Sequence, residues 1–254
     1  MCTLIALHRC IAGAPLVVAA NRDEYRERPC EGPALRDGPA GPVAAPRDLR
    51  AGGTWLGVNR HGVFAALTNR PTACADPARR SRGLLVMDAL GPAKASDAAE
   101  WLRGLPAGAY NPFNLFVADA HDAYVAVYEE TVGVRALEPG VHVVGNADPD
   151  DRAVAKIDRL HAQAERAVAA GPGDVLDGLA AICRAHDGGD GPRSDTCIHL
   201  GDEATGYGTR SSTLLWLGEP GARSEWRYAD GPPCETAYED RSDVLHELGL
   251  GARS

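Results

Sequence analysis

The chain has 254 residues, of which 44% are hydrophobic, so it is long enough to bury a sizeable core. Its formal net charge of -9 argues against binding to nucleic acid or to an anionic membrane surface. No stretch approaches the roughly 18 apolar residues of a membrane span. The seven cysteines are an odd number without paired spacing, which predicts reduced thiols and a cytoplasmic protein.

Two β-hairpins are predicted near the start of the chain. Residues 2–8 and 16–23 are strand-like runs that flank a turn-like segment containing Gly and Pro. A second hairpin is predicted from residues 54–58 and 63–69. The segment between the hairpins, residues 29–53, holds many Pro and Gly residues and is predicted to be a long surface loop.

Helices and strands alternate through the rest of the chain. Apolar spacing predicts helices over 83–91, 96–104, 153–168 and 174–186. Strands are predicted over 113–119, 123–129, 141–146, 196–200 and 209–217. Strand hairpins interleaved with helix pairs predict an α+β fold, in which layered sheets are covered by helices on their outer faces. We interpret residues 1–254 as a single domain.

The second residue is the first candidate for chemistry. Because Cys2 has a small side chain, we expect cytosolic processing to remove Met1 and leave a cysteine with a free α-amine. An α-amine titrates near ~8 and a thiol near ~8.5, so a nucleophile and a base would share one residue. The alternative is that Cys2 packs as a small hydrophobe in the first strand.

Polar residues also stand where the predicted strands begin or end. Asn21 and Asp23 close an otherwise apolar strand, Asn69 and Asn146 end two others, and Arg210 opens a fourth. Polar groups that converge at strand ends are typical of a small-molecule pocket. Each of them alone is better explained as the start of a turn. Together with Cys2, they favour a site.

Other motifs carry less information. Strand alternation puts His8 on the same face as Cys2, where it is either a structural histidine or a neighbour of the nucleophile. Cys197-Ile198-His199 is an isolated pair of potential ligands without a second pair at zinc spacing, so no metal site is predicted. No glycine-rich phosphate loop with its Lys-Ser/Thr is present in the sequence.

The order of short motifs resembles a known family, the NRDE family, also called the transport-and-Golgi-organisation protein 2 family. The likeness covers most of the chain. Its motifs are Met1-Cys2-Thr3, Ala19-Ala20-Asn21-Arg22-Asp23-Glu24, Gly52-Gly53-Thr54-Trp55-Leu56-Gly57, Ala65-Ala66-Leu67-Thr68-Asn69, Ser81-Arg82-Gly83, Tyr110-Asn111-Pro112-Phe113-Asn114-Leu115, Gly145-Asn146-Ala147 and Tyr207-Gly208-Thr209-Arg210.

This resemblance implies a fold and a set of roles. The family resembles N-terminal nucleophile hydrolases, with two antiparallel sheets between helical layers in the order αββα, and within them the choloylglycine and penicillin V acylases. By that likeness Cys2 is the nucleophile, its α-amine is the base, and Asp23 orients the amine. Asn69 and Asn146 help form an oxyanion hole, and Arg210 favours the thiolate.

The sequence departs from those acylases at one position. They carry Arg-Asn-x-Asp on the second strand, whereas Ala20 stands here in place of the arginine. We expect strand alternation to turn Arg22 to the other face, so that Arg22 does not simply replace the missing arginine. Asn21, Arg22 and His8 are therefore secondary candidates.

Two functions remain open from the sequence. The first is a cysteine amidohydrolase that cleaves a linear C–N amide of a small molecule; the intact set of Cys2, Asp23, Asn69, Asn146 and Arg210 favours it. The second is a non-catalytic carrier of an apolar ligand, either haem or an acyl chain, because eukaryotic members of the resembling family are linked to haem and lipid handling. The missing arginine favours the carrier. No cofactor is predicted beyond haem as a ligand of that carrier.

Overall fold

The computed structural model describes residues 2–189, 191–201 and 206–251. Its strands, in chain order, are β1 (Cys2–Ile11), β2 (Ala14–Tyr25), β3 (Cys30–Gly38), β4 (Gly41–Asp48), β5 (Leu56–Asn59), β6 (Phe64–Asn69), β7 (Phe113–Ala118), β8 (Ala123–Tyr128), β9 (Val132–Leu137), β10 (Gly140–Val144), β11 (His199–Leu200), β12 (Tyr207–Leu217), β13 (Glu225–Ala229) and β14 (Glu239–Asp240). Its helices are α1 (Arg82–Ala89), α2 (Ala95–Arg103), α3 (Ala155–Ala170), α4 (Val175–Arg184) and α5 (Ser242–Leu248).

The first sheet contains the N-terminal hairpin at its centre. Its strand order is β10-β1-β2-β12-β13-β14, with β11 beside β12, and every pairing is antiparallel. The predicted hairpin from 2–8 and 16–23 is confirmed, and both strands are longer than predicted. β10 pairs with β1 only from Leu4 onward, so Cys2, at the start of β1, is paired with β2 alone, through Arg22.

The second sheet follows the chain closely. Its order is β3-β4-β5-β6-β7-β8-β9, again entirely antiparallel. Successive strands therefore pair with their sequence neighbours, in a meander. The predicted hairpin from 54–58 and 63–69 is confirmed as β5 and β6.

The two sheets stack face to face between helical layers. Alternate residues of β1 and β2, such as Leu4 and Val18, pack between the sheets against Phe64 and Phe116 of the second sheet. The other face of the first sheet packs on α3 and α4, and the outer face of the second packs on α1 and α2. The predicted αββα order is confirmed. No helix of the described residues is both long and apolar enough to cross a membrane.

The prediction of a surface loop over 29–53 is wrong, because this segment forms β3 and β4. Val43, Ala44 and Ala45 of β4 are buried. The prolines that suggested a loop lie where a strand tolerates them: Pro33 lies in the edge strand beside a break in register, and Pro42 stands near the start of β4. The short strands β9 and β13 and the helix α5 were also not predicted.

Candidate active site

Cys2 faces the space between the two sheets. In the β1–β2 register it lies opposite Arg22, two residues from the pair of Leu4 and Ala20, which belong to the inter-sheet core. Cys2 is partly buried and lies where two cavities meet, of about 310 Å³ and about 560 Å³. The structure therefore places Cys2 in the wall of both cavities.

The smaller cavity, called here the charged cavity, contains the Arg22 side chain. Its guanidinium lies 3.0 Å from Asp48 Oδ2 and 4.2 Å from the centre of the Trp55 ring. Arg28 holds the same Asp48 oxygen at 2.7 Å. Burial opposes ionisation of Asp48, but its hydrogen bonds to Ala51 and Arg28 outweigh that effect and lower its pKa.

The expectation that Arg22 points to the other face is therefore wrong. Residues opposite each other in an antiparallel pair project to the same side of the sheet, and Arg22 is the partner of Cys2. Ala20 and Arg22 are two residues apart and thus share that face. Arg22 brings a guanidinium to the Cys2 side of the sheet although Ala20 stands at the arginine position of the acylases.

A close backbone contact brings Arg82 to the charged cavity. A Cβ atom on Gly53 would lie 2.2 Å from the carbonyl carbon of Gly83, so only glycine allows the start of α1 to approach this segment. The Gly83 carbonyl accepts a hydrogen bond from Thr54 N at 3.1 Å. Arg82, beside Gly83, lines the cavity and forms no ion pair with any described residue. Burial lowers its pKa.

Asp23 is buried beside the start of β1. Its Oδ1 accepts a hydrogen bond from the Thr209 hydroxyl at 2.7 Å, whereas its Oδ2 has no hydrogen-bond partner among the described residues. Burial raises its pKa from the ordinary 3.8 to about 6. The Cys2 thiol lies 3.9 Å from the Asp23 carbonyl oxygen, so the structure brings these two residues together as predicted.

A lysine that the sequence analysis did not assign lies near both residues. Lys156 projects from α3, lines the larger cavity together with Cys2, and donates to the Asp195 carbonyl at 2.7 Å. Burial lowers the Lys156 pKa, and the nearby charge of Asp23 acts in the opposite direction. One signal was available in the sequence, since Lys94 and Lys156 are the only lysines among 26 basic residues.

The larger cavity, called here the apolar cavity, has Val143, Val154, Ile157 and Leu160 in its wall. Asn146 also lines it, and the Asn146 side chain donates to the Asn69 carbonyl oxygen. Asn69 itself lines the charged cavity, so the two predicted oxyanion residues contact each other and each lines one of the two cavities that Cys2 also lines. The second N–H of the Asn146 amide has no partner among the described residues.

The loop that carries Asn146 is attached to the second sheet. The Asn114 side chain donates to the carbonyls of Gly145 at 3.1 Å and Ala147 at 2.8 Å, and the Thr68 hydroxyl also donates to Gly145. Asn114 is fully buried. Asn114 belongs to one of the sequence motifs and had no predicted role; in the structure it fixes the loop of Asn146 to the second sheet.

Three predicted residues lie away from the thiol. Arg210 sits at an irregularity of β12, pairs with Asp230 at 2.7 Å and lines neither cavity. Asn21 donates to the carbonyls of Cys183 and Thr196, both at 2.9 Å, on the helical side of the sheet. His8 is buried near the far end of β1, about 20 Å from Cys2 at ~3.3 Å per residue, so it does not neighbour the nucleophile.

The Cys2 thiol itself is not activated by its described surroundings alone. Burial is the largest influence and raises its pKa, while Arg22 acts in the opposite direction. A nucleophilic role therefore needs a base close to the sulfur. The group that best meets this need is the α-amine that Cys2 would carry without Met1.

Solved structures share this architecture. A mutant conjugated bile acid hydrolase from Clostridium perfringens matches with a TM-score of 0.52 and 13% identity, covering 100% of this chain and 95% of that one. A Caenorhabditis elegans ortholog of N-acylethanolamine-hydrolyzing acid amidase matches with a TM-score of 0.56 and 12% identity, covering 87% and 94%. At such identities the likeness shows the fold alone, which is that of the N-terminal nucleophile hydrolases.

The sequence comparison defines the family more narrowly. The model of the family Transport and Golgi organisation 2 matches residues 1–225, and the chain belongs to this family. The Bos taurus transport and Golgi organization protein 2 homolog is 35% identical over 142 residues, and the Homo sapiens homolog is 35% identical over 144 residues. In both cases 52% of this chain is matched, and the chain spans about half the length of these relatives, 50%.

Proposed function

We propose that this protein is a cysteine N-terminal nucleophile amidohydrolase that cleaves a linear amide of a small molecule. The observation that carries the proposal is the position of Cys2. Cys2 lines two cavities and lies opposite Arg22, its thiol is 3.9 Å from the Asp23 carbonyl oxygen, and it shares one cavity with Asn69 and the other with Asn146. A cleft that brings together a nucleophile, a buried carboxylate with a shifted pKa and positively charged side chains is typical of an active site.

In the proposed reaction the Cys2 sulfur attacks the amide carbonyl carbon, and its proton passes to the α-amine of the same residue. The oxyanion that forms is stabilised by the N–H of Asn146 and by donors near Asn69. Collapse of this intermediate breaks the C–N bond, the amine proton moves to the leaving nitrogen, and a thioester remains on Cys2. Water, deprotonated by the α-amine, then releases a carboxylic acid and restores the thiol.

Asp23 orients the base in this scheme. Asp23 directly follows Arg22, the partner of Cys2, so its carboxylate lies beside the first residues of the chain. Its partnerless Oδ2 is available to accept a hydrogen bond from the α-amine. Lys156 adds a positive charge close to Asp23 and Cys2, which stabilises the negative charge that develops at this site during the reaction.

The two cavities favour a substrate with two different ends. The wall of valine, isoleucine and leucine in the apolar cavity fits an acyl chain, whereas Arg82 in the charged cavity fits an anionic group on the amine side. Fold relatives named for the hydrolysis of conjugated bile acids and of N-acylethanolamines support an acyl amide as substrate. We therefore propose an N-acyl amide whose amine portion carries a carboxylate or sulfonate.

A panel of substrates tests this function. Hydrolysis of four amides with the same acyl chain is measured for wild type, Cys2→Ala and Cys10→Ala. The amides are N-acyl glycine, N-acyl taurine, N-acylethanolamine and an N-acyl diamine. We expect wild type to hydrolyse the anionic amides and Cys2→Ala to hydrolyse none of them. Cys10→Ala should keep the wild-type activity, because Cys10 lies near the other end of β1. Equal activity of Cys2→Ala and wild type would exclude the mechanism.

A second candidate function is supported by the apolar cavity. Its volume of about 560 Å³ is within the range of small-molecule sites, so the same scaffold fits a carrier of an acyl chain or haem. For a carrier, Ala147→Phe should fill the cavity and abolish binding in a titration with a fatty acid or haem, while Cys2→Ala should leave binding unchanged. Binding of this kind, without turnover of any amide in the panel, would favour the carrier over the hydrolase.

A further inference from the structure

A cluster of four potential metal ligands lies apart from the residues of the candidate active site. His186 follows α4, Cys197 and His199 flank the start of β11, and Cys234 stands in the segment between β13 and β14. One ligand atom from each of the four lies within 4.8 Å of all the others. The fold therefore joins the isolated Cys197–His199 pair of the sequence with two ligands that are distant along the chain.

The distances fit a tetrahedral site. Cys197 Sγ lies 3.5 Å from Cys234 Sγ and 3.6 Å from His199 Nε2, and His199 Nε2 lies 3.1 Å from Cys234 Sγ. The His186 and His199 ring centres are 5.2 Å apart. A zinc ion with Zn–S bonds of about 2.3 Å and Zn–N bonds of about 2.0–2.1 Å holds its ligand atoms roughly 3.3–3.8 Å apart.

Acidic residues are placed to orient both imidazoles. Asp195 Oδ2 lies 3.9 Å from His186 Nδ1, and Glu235 Oε1 lies 3.9 Å from His199 Nδ1. Metal-bound histidines commonly donate their other ring N–H to a carboxylate. Arg26 Nη2 donates to His199 Nδ1 at 2.7 Å, so Nδ1 is an acceptor in this structure. A metal bound at Nε2 requires the proton to be on Nδ1 instead. Arg26 must then turn away, and the Nδ1–H can donate to Glu235.

The donor set suits a soft divalent cation, because it combines two cysteine thiols with two imidazoles. Binding of a divalent cation would release two protons from the thiols and leave a neutral centre with two thiolates.

We propose that His186, Cys197, His199 and Cys234 form a Cys2His2 site for one structural zinc ion. The site would join three segments that are otherwise connected mainly by loops. It also lies next to the support of Asp23, because Ile198 N donates to the Thr209 hydroxyl at 2.9 Å and that hydroxyl donates to Asp23. The metal thus holds the segment that positions this carboxylate. The inference does not depend on the proposed amidase activity.

Metal analysis of untagged protein, purified without chelator, tests the site. We expect about one zinc ion per chain in wild type, and loss of that zinc in Cys234→Ser and His186→Asn. Both substituted side chains are exposed, so neither change disturbs the core. The matched controls are Cys74→Ser, an exposed cysteine, and His246→Asn, an exposed histidine; both lie outside the cluster and should keep the zinc.

Two further measurements distinguish the outcomes. Protein reloaded with Co²⁺ should show the intense ligand-field absorption of a tetrahedral thiolate centre, lost in Cys234→Ser, and a chelator should lower the Tm of wild type but not of Cys234→Ser. Zinc absent from wild type, or retained equally in both ligand variants, would overturn the proposal. A mass lower by two hydrogens without bound metal would show a Cys197–Cys234 disulfide instead, which also overturns it.

Discussion

Asp23 and Asp150 are two carboxylates near the first sheet whose surroundings differ in almost every respect. Asp150 binds His142 Nδ1 at 2.9 Å, His161 Nε2 at 3.0 Å and Val143 N at 2.7 Å, so both of its oxygens have partners. Asp23 is more deeply buried, yet only one of its oxygens has a partner among the described residues. Asp150 therefore has the surroundings of a structural group, whereas Asp23 does not.

The direction of each pKa follows from this difference. Burial opposes ionisation of Asp150, but its histidine and amide hydrogen bonds outweigh that effect and hold the pKa well below its usual range. The burial of Asp23 is only partly offset by the charge of Lys156 and the Thr209 hydrogen bond, and it raises the pKa of Asp23 to about 6. Buried polar groups are normally satisfied, so the open oxygen of Asp23 close to Cys2 supports the proposed function.

The largest effect that we expect is the loss of activity in Asp23→Asn. An amide cannot hold the α-amine of Cys2 in the same orientation or offset its charge, so kcat/KM should fall by roughly 1000-fold or more. The substitution removes a buried charge, so the free energy of unfolding at pH 7 should not decrease. Steady-state hydrolysis and urea unfolding of the same preparation measure the two quantities. A large loss of stability with activity per folded molecule unchanged would make Asp23 a structural residue.

Asp150→Asn should show the opposite pattern. The substitution removes the negative charge and replaces one of the two acceptor oxygens by an N–H donor, so either His142 or His161 loses its acceptor and the free energy of unfolding should fall by about 3 kcal/mol. Activity per folded molecule should change less than in Asp23→Asn, because Asp150 lines neither cavity. Urea unfolding with both variants provides the matched comparison; an unchanged midpoint for Asp150→Asn would remove the contrast.

Asn146→Ala tests the loop that joins the two regions. Asp150 fixes this loop by its bond to Val143 N, and Asn146 presents its amide to the apolar cavity. Loss of one oxyanion donor should slow acyl transfer by roughly 100-fold, while binding of a fatty acid to the cavity changes little. Cleavage at the wild-type rate would place the oxyanion donors elsewhere.

The pH dependence of stability should sharpen the comparison further. Because the folded-state pKa of Asp23 is raised, its contribution favours the fold at low pH and is lost as the pH rises from about 4 through about 6. A rise from 3.8 to about 6 corresponds to at most about 3 kcal/mol. Asp150 has a lowered pKa and contributes above its ordinary value, a contribution that is lost as the pH falls below about 4.

Urea unfolding between pH 4 and pH 7 measures both effects. Asp23→Asn should gain stability relative to wild type as the pH rises through this range, and Asp150→Asn should not. Preparations with and without Met1 should differ, since an ammonium on Cys2 favours the charged form of Asp23 and reduces the effect. An identical profile for wild type and Asp23→Asn would contradict the raised pKa.

The parts of the fold that follow from strand alternation could be predicted from the sequence. Leu4, Ala6, Val18 and Ala20 share one face because the period of a strand is two, and the N-terminal hairpin follows from this pattern. The same rule puts Arg22 on the face of Ala20, so the position of Arg22 was contained in the sequence. The hairpin of β3 and β4 could not be predicted in this way, because prolines are also typical of a loop. Only the position of β3 at the edge of the sheet and the break in its register explain how these strands accommodate them.

The site shows a similar division. Cys2, Asp23, Asn69 and Asn146 stand in motifs or at strand ends and could be chosen from sequence, and the structure brings them together. Lys156 reaches the site from α3, and Cys234 joins Cys197 and His199 from a segment 35 residues or more away. Contacts of that kind depend on how helices and loops pack on the sheets, which no local spacing records.

The most direct test of the nucleophile is the mass of the N-terminal peptide after brief exposure to a nitrophenyl ester of a fatty acid. Such an ester acylates the nucleophile faster than water removes the acyl group, so the intermediate accumulates. We predict a peptide that begins at Cys2 and carries one acyl group, with no adduct on Cys10 or Cys74. Acyl groups distributed among the exposed thiols, or a fully active protein that retains Met1, would contradict Cys2 as an N-terminal nucleophile.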